Sequence, residues 1–258
     1  FKNIDGDSNT ATGTESLYEN TTGRFNTANG YRALYTNATG QYNSAIGYGA
    51  LNFNTDGDSN TANGMYALRG NTIGNNNSAT GYQALFSNTD GGSNTAIGSG
   101  ASYQNTTGVS NTAIGQNASN KNVTGDFNVS IGSGALYKNE VSGNTATGFQ
   151  SLNQNTTGPN NVANGYQTLA VNTIGTDNTA NGYRALNKNT DGNNNTANGS
   201  SALFNNLTGD SNTALGDRAL YNITTGSSNI GVGRNSGPTA VGLHNTISIG
   251  KDLSLIHI

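Results

Sequence analysis

The chain has 258 residues, a formal net charge of −3 and no cysteine, and only 10% of its residues are charged. Without cysteine, disulfides and thiol chemistry are excluded, and 11 Lys and Arg in so long a chain disfavour a nucleic-acid partner. Disorder usually accompanies high net charge, so this composition favours an ordered chain. No apolar run approaches the ~20 residues that a membrane span needs.

An internal repeat of 17 residues accounts for almost the whole chain. Its consensus is N-T-A-x-G-Y-x-A-L-x-x-N-T-T-G-x-x, and we number the positions of each repeat from the first Asn. Every step between copies is 17 residues, except one of 16. Such regularity indicates that each position meets the same environment in every copy, as in stacked coils. Position 1 is occupied by Asn9, Asn26, Asn43, Asn60, Asn77, Asn94, Asn111, Asn128, Asn144, Asn161, Asn178, Asn195, Asn212 and Asn229.

The content of the repeat predicts short β-strands and turns rather than helices. The chain contains 37 Gly, and Asn, Thr and Gly recur in every repeat, so a helix could not be sustained. At about 3.3 Å per residue, one repeat would form a flat coil of two short strands and two turns, with neighbouring coils about 4.8 Å apart. The sequence therefore predicts an all-β fold, a parallel β-solenoid of about 14 coils, with residues 1–250 as a single continuous domain.

A thin core is predicted along the solenoid, made of Ala at positions 3 and 8, Gly at position 5 and Leu at position 9. Gly occupies position 5 in all 14 copies. Stacked Asn and Thr side chains should add to the backbone hydrogen bonds between coils. The residues that represent this structural ladder are Leu34, Leu51, Leu68, Leu85, Gly30, Gly47, Gly64 and Gly81.

Position 4 changes between polar and aliphatic residues from one repeat to the next, which makes it informative about contacts with other molecules. Since neighbouring strand residues face opposite sides, an inward position 3 places position 4 outside. Asn and Thr are frequent there, but several copies are aliphatic, and an exposed aliphatic stripe indicates contact with another subunit. The alternative is that this face lies inside and that Asn ladders fill the polar coils. The predicted interface residues are Ile46, Ile97, Ile114, Ile131, Leu215 and Val232.

Position 6 carries an aromatic column. Rings one coil apart could stack on sugars or on a neighbouring subunit, or they could stack on one another and cover the sheet edge. The column consists of Tyr31, Tyr48, Tyr82, Phe149, Tyr166 and Tyr183.

Three further features of the sequence bear on metal binding, catalysis and glycosylation. The segments 5–9 and 56–60 place oxygen ligands at alternate positions, as calcium loops do, but Asp-Gly is also an ordinary turn dipeptide, and the turn is favoured. The two histidines, His244 and His257, offer little for catalysis, so we expect no enzyme activity, no cofactor and no metal. Glycosylation sequons, better explained as turn chemistry, occur at Asn20, Asn37, Asn105, Asn122, Asn155, Asn206 and Asn222.

The strand motif resembles the S-x-A-I-G phrase of the heads of trimeric autotransporter adhesins, the YadA-like family, and is also similar to repeats of phage tail fibres and other bacterial surface fibres. It stands here at residues 43–47, 94–98, 111–115, 130–132 and 247–250. The resemblance implies a left-handed parallel β-roll, a homotrimer, and binding to host matrix or other cells. Coils of that family are shorter than 17 residues, so the second half of the repeat is an elaboration.

The predicted function is that of an extracellular fibre or adhesin segment on a bacterial cell surface, which mediates attachment or assembly. Its expected partners are copies of itself and host matrix or cell-surface glycans, with no nucleic acid and no membrane insertion. Two alternatives stay open: a filament subunit that stacks end to end through uncapped sheet edges, and an ice-binding solenoid with Thr columns. Residues 251–258 leave the repeat, and 253–258 resemble the translation of a sequencing adapter.

Overall fold

Each repeat contributes one parallel β-strand of three residues at positions 2–4, and the computed structural model is an all-β solenoid. It describes residues 4–238 and 242–252. The predicted fold class is thereby confirmed. Within these residues there is no helix that could cross a membrane. The strands are β1 (Thr10–Thr12), β2 (Thr27–Asn29), β3 (Ser44–Ile46), β4 (Thr61–Asn63), β5 (Ser78–Thr80), β6 (Thr95–Ile97), β7 (Thr112–Ile114), β8 (Val129–Ile131), β9 (Thr145–Thr147), β10 (Val162–Asn164), β11 (Thr179–Asn181), β12 (Thr196–Asn198), β13 (Thr213–Leu215), β14 (Ile230–Val232) and β15 (Ile247–Ile249).

Two compact units make up the chain, Phe1–Asn128 with β1–β7 and Val129–Ile258 with β8–β15. In both units, equivalent positions of successive strands pair with each other, as Ala28 pairs with Ala45 in the first unit. The single continuous domain over 1–250 and the left-handed winding stay predictions. Of the predicted tail, residues 253–258, with His257, lie outside the described part of the chain.

The second half of each coil is a series of turns, so the prediction of two strands per coil is wrong. Residues at positions 7, 9 and 17 adopt the left-handed conformation, with φ of 53° at Arg32, 49° at Leu34 and 58° at Tyr42. A strand cannot accommodate such residues, because each one reverses the local direction of the chain. Contact between coils nevertheless continues, since the amide of Leu34 donates to the carbonyl of Ala50 at 3.0 Å.

The position-9 leucines are buried despite this unfavourable backbone. Leu34, Leu51, Leu68 and Leu85 are 0% exposed, with φ near 50°. The left-handed conformation costs roughly 1–2 kcal/mol per residue, whereas burying a leucine side chain contributes roughly 1.5–3 kcal/mol. Burial therefore outweighs the strain, and the predicted leucine ladder forms the core together with alanines at positions 3 and 8.

Two ladders of buried asparagine connect the coils. At position 1, Asn26 Oδ1 accepts from the amide of Asn43 at 2.9 Å, and Asn43 Nδ2 donates to the Gly57 carbonyl at 2.8 Å. At position 12, Asn54 Nδ2 donates to Asn37 Oδ1 at 2.8 Å and to Gly57 at 2.9 Å. A buried amide without partners would cost about 1–3 kcal/mol, and the repetition of Asn gives most copies a partner in a neighbouring coil.

Close approach of neighbouring backbones explains the glycine columns. A Cβ on Gly30, at position 5, would lie 2.5 Å from the carbonyl oxygen of Gly47, and the φ of Gly30 is +138°. At position 15, a Cβ on Gly57 would lie 2.5 Å from Asn54 Oδ1 and 2.6 Å from the carbonyl oxygen of Gly74. No side chain fits at either position, which accounts for the glycine in every copy at position 5.

The 16-residue coil keeps its strands in register. Val129 pairs with Thr145 and Ile131 with Thr147, an offset of 16 residues. The missing residue falls in the bend at 139–143, after Asn139, whose Oδ1 accepts from Asn144 and Asn155. The deletion lies outside the strands, and the asparagine ladder continues past it.

Candidate functional site

The strand face is the first candidate surface. Position 4 points outward, with Ile46 45% and Ile97 42% exposed, whereas Ile114 is half-buried. The alternative that this column lies inside is therefore wrong. In the first unit the aliphatic surface is discontinuous, because Ile97 pairs with Ile114 while Ile46 lies between Asn29 and Asn63.

In the second unit the same column changes from polar to aliphatic. Asn164, Asn181 and Asn198 form an outer ladder, in which each Nδ2 donates to the next Oδ1 at 2.8 and 2.7 Å. Ile131 lies at one end of this unit and is exposed. Toward the other end lies an aliphatic surface on β13–β15, hereafter the β13–β15 patch, formed by Leu215, Ile230, Val232, Ile247 and Ile249.

Only part of the β13–β15 patch was predicted from the sequence. Leu215 and Val232 were predicted interface residues, and Val232 is half-buried. Ile230 and Ile247 were missed because position 2 was examined only for threonine. Ile230 is exposed and pairs with Ile247, so a scan of both outward columns for aliphatic residues would have found this patch.

The position-6 rings stack on one another. Tyr31 and Tyr48 lie 5.0 Å apart between ring centroids, and in the second unit Phe149, Tyr166 and Tyr183 form a ladder with spacings of 5.3 and 5.4 Å. All except the half-buried Tyr31 are exposed, as is Tyr82. Mutual stacking is therefore present, and a role in binding a ligand stays a prediction.

A second aromatic column at position 10 was missed. Its stacked pairs are Tyr18 with Tyr35, Phe86 with Tyr103, and Phe204 with Tyr221, with centroids 5.0–5.5 Å apart. The signal is visible in the repeat, because position 10 is Tyr or Phe in several copies. The consensus does not include an aromatic residue at position 10, since Asn, Arg and Ala also occur there.

A shallow groove in the first unit lies beside the position-6 aromatic column. It is lined by Arg32, Tyr48, Gly49, Asn52, Tyr66 and Arg69, and we call it the Gly49 groove. Position 7 is glycine in this coil, and it lies between Arg32 and Tyr66, which occupy position 7 of the coils on either side. The Tyr66 ring packs against this glycine, since a Cβ on Gly49 would lie 2.9 Å from Tyr66 Cδ1. Tyr48 and Tyr66 meet edge to face, with centroids 5.2 Å apart.

Two guanidinium groups with different surroundings border this groove. Arg32 Nε forms an ion pair with Glu15 Oε2 at 2.5 Å. Arg69 packs over the rings of Phe53, Tyr66 and Phe86 at 4.8, 5.4 and 5.5 Å from their centroids. Among the residues that the structure describes, no carboxylate lies within ion-pair distance of Arg69.

The contacts of Arg32 and Tyr66 raise the pKa values of both side chains. The pKa of Arg32 is raised above its usual value, chiefly by its hydrogen bond to Glu15. Burial raises the pKa of Tyr66, and a hydrogen bond to Tyr48 raises it further. Both groups therefore keep their neutral-pH forms, a cation and an uncharged phenol, over a wide pH range.

No protein-family model and no curated protein sequence matches the chain. The likeness of the repeat to YadA-like heads therefore stays a prediction. Functional assignment depends on the surfaces described above.

Carboxylates in both candidate calcium loops form hydrogen bonds or ion pairs with other residues of the chain. Asp58 Oδ1 accepts from the amide of Gln41 at 2.7 Å, and Asp56 Oδ1 accepts from Thr39 Oγ1 at 2.7 Å. Asp7 Oδ2 lies 3.8 Å from Arg24 Nε. Within 4–238 and 242–252, no three His, Cys, Asp or Glu residues are grouped to hold a metal ion. These contacts agree with the interpretation of both segments as turns.

Most of the asparagines in the glycosylation sequons are buried. Asn20, Asn37 and the other position-12 asparagines are at most 1% exposed and belong to the inner ladder, so a glycan could not be attached to them in the folded chain. Asn222 lies one position earlier in its coil and is exposed. Among the histidines, His244 Nδ1 accepts a hydrogen bond from the amide of Ser227 at 3.0 Å, which is a structural contact.

Proposed function

We propose that the chain is a structural segment of an extracellular fibre or adhesin head on a bacterial surface, in which copies of the solenoid associate through their strand faces. The observation that carries this proposal is the outward aliphatic surface at Ile97 and Ile114 and at the β13–β15 patch. Burying such side chains against a second copy would remove apolar area from water at about 25 cal/mol per Å². The resemblance of the repeat to YadA-like heads favours a homotrimer.

Composition and architecture also support a structural role. The low charge, the lack of cysteine and the abundance of Asn, Thr and Gly are typical of extracellular fibres. A solenoid adds length by adding coils, and every coil presents its outer positions at a fixed spacing. Such a scaffold suits the display of repeated binding surfaces toward host matrix or cell-surface glycans.

The assembly is tested by measuring the particle mass with light scattering after size exclusion. We expect a species at three times the chain mass of 26.4 kDa. Ile114→Asp and Ile230→Asp should shift it toward the monomer, because each would bury an unpaired charge in the interface. Gln104→Glu adds the same charge at an exposed position in the second half of a coil, outside the strand face, and should leave the mass unchanged.

Circular dichroism on each variant checks that the β signature is intact. A monomeric parent chain, or an unchanged mass in both isoleucine variants, would contradict the proposed assembly. Long fibres from the parent chain would instead support end-to-end stacking.

Ice binding is the second candidate, favoured by the outward direction of both position 2 and position 4. Thr10 and Thr12 are exposed side by side on β1, and Thr145 and Thr147 repeat this pair on β9. Against it, aliphatic residues and the outer asparagine ladder interrupt the threonine columns. Thermal hysteresis measured on the purified chain tests this function, and a freezing point equal to that of the buffer would exclude it.

A further inference from the structure

We propose that the Gly49 groove binds a linear glycan that carries carboxylates, with Arg69 as the anchor for a uronate group and the neighbouring tyrosines as the platform for its sugar rings. The inference deepens the proposed function, since it names a ligand class for the attachment role. It does not require self-association, because every residue of the groove belongs to the first unit of one chain.

Arg69 is the strongest feature of this site. Its guanidinium is held between three rings, with the closest centroid 4.8 Å away, so little side-chain entropy remains to be lost on binding. No carboxylate of the described residues neutralises it. The Arg69 guanidinium is planar, half-buried and without a carboxylate partner. Its N–H groups can donate two parallel hydrogen bonds to the two oxygens of a carboxylate.

Arg32 provides a second cation at the same groove. Its Nε is used by Glu15, and its guanidinium lies 5.2 Å from the ring centroids of both Tyr31 and Tyr35. Since Glu15 already neutralises this arginine, its role would be to position the rings and shape the groove. The net cationic charge of the groove therefore comes from Arg69.

The aromatic surface suits a sugar ring rather than a bare anion. Tyr48 stacks on Tyr31, whereas the Tyr66 ring is turned by 88° from Tyr48 and lies against Gly49, so the column of parallel rings is interrupted at the groove. The negative face of such a ring attracts the weakly positive C–H groups of a pyranose.

The surrounding positions are free of negative charge. In the coils that start at Asn43, Asn60 and Asn77, positions 6, 7, 10 and 11 contain no Asp or Glu. The acidic residues of this face, Glu15 and Glu19, belong to the coil that starts at Asn9. An anionic ligand over Gly49 therefore meets one unpaired cation and no nearby like charge in its own coils, which is electrostatically favourable.

A single-stranded nucleic acid would also use rings and arginines, but it requires a cationic track along its backbone. The groove contains two arginines, one of which is neutralised, in a chain of net charge −3. A uronate glycan needs only one such contact beside a ring, so the observations favour the glycan.

Isothermal titration at low salt with a short oligogalacturonate tests the site. We expect binding to the parent chain, weakening as salt rises, and no binding of the fully methyl-esterified oligomer, which has the same rings without the charge. Arg69→Gln should weaken binding about tenfold or more, since it removes a charge-assisted contact. Arg184→Gln is the matched control, because Arg184 borders Tyr183 at 5.4 Å but donates to Gln167 at 3.1 Å.

Hydrogen exchange gives a second readout that needs no variant. The oligogalacturonate should slow exchange in residues 48–70 of the parent chain and leave 149–184 unchanged. The proposal is overturned by a lack of binding, by equal binding of the esterified oligomer, by an Arg69→Gln chain that binds like the parent, or by an equal loss in Arg184→Gln. Tighter, Arg69-dependent binding of a thymidine oligonucleotide would overturn it in favour of nucleic acid. The mass measurement on the parent chain is independent of all these outcomes.

Discussion

At the scale of single residues, the buried asparagines of positions 1 and 12 connect the coils. Most of those at position 1 provide an acceptor to the next coil and a donor to the glycine carbonyl of their own coil, as Asn43 does toward Asn60 and Gly57. Asn144 donates instead to Asn139 Oδ1, and Asn229 donates to the carbonyl of Leu243.

Among the described residues, two oxygens of the position-12 ladder are buried without a hydrogen bond, and one of them, Asn105 Oδ1, is followed by Asn122 at position 12 of the next coil. Asn206 Oδ1 is buried without a hydrogen bond, and Ile223 occupies position 12 of the following coil.

Replacing one ladder residue should destabilise the chain measurably. In Asn60→Ala, the amide of Asn77 loses its acceptor at 2.9 Å, while the Gly74 carbonyl keeps its bond from Asn71. One buried unpaired amide predicts a loss of about 1–3 kcal/mol in the free energy of unfolding, measured by urea denaturation. Asn63→Ala removes an exposed amide from the same coil and should change it by less than about 0.5 kcal/mol. Equal losses in the two variants would be inconsistent with the ladder.

At the scale of the structural element, one coil is a three-residue strand followed by a chain of turns. Its shape depends on left-handed residues at positions 7, 9 and 17, and on glycines that allow the backbones of neighbouring coils to touch. The buried leucines show that the coil accepts local strain when burial outweighs it. The glycine at position 5 has no such compensation, because no space exists for a side chain.

Gly64→Ala is therefore expected to lower the free energy of unfolding by about 3 kcal/mol or more. Its Cβ would lie 2.6 Å from the carbonyl oxygen of Gly81, at a φ of +137°. Gly92→Ala is the control, since the nearest atom to its Cβ would be the carbonyl oxygen of Asn75 at 3.2 Å, and other coils carry side chains at this position 16. Thermal melting of both variants provides the comparison. Tolerance of alanine at Gly64 would mean that neighbouring coils approach less closely.

At the scale of the whole molecule, each strand within a unit contacts only the strands before and after it. The stability of a solenoid is then approximately a sum of nearest-neighbour terms, and damage to one coil stays local. The core divides into two clusters of buried residues, one from Leu17 to Ala118 and one from Ala135 to Ile223, which agrees with the two units.

Local damage should be visible by hydrogen exchange. Asn60→Ala is expected to speed exchange in residues 43–93 and to leave 161–211 unchanged, and Asn178→Ala should give the reverse pattern. Asn178 makes the same contacts as Asn60, with the amide of Asn195 at 3.0 Å and the Gly192 carbonyl at 2.8 Å. A uniform increase across the chain in either variant would instead indicate a single cooperative unit.

Much of the fold could be predicted from the repeat. The alternation of Thr, Ala and the variable residue placed position 3 inside and position 4 outside, and the structure confirms this for Ala45 and Ile46. The second half of the coil was predicted wrongly, because the length of the repeat and the strand rise allow two strands per coil, whereas left-handed residues at positions 7, 9 and 17 make this half a series of turns. Left-handed conformation at a leucine has no signature in a single sequence, and here it is stabilised only by stacked neighbours.

The sequence by itself determined the period, the parallel stacking and the columns of Ala, Leu and Gly, because identical residues at a fixed step must face identical neighbours. Only the tertiary structure decided which side of a turn each residue occupies. Asn37, which belongs to a glycosylation sequon, is buried in the fold. Arg69 is brought to the Gly49 groove from the next coil. The physical reason is that backbone conformation in the turns sets side-chain direction, and contacts between coils, rather than local preference, set that conformation.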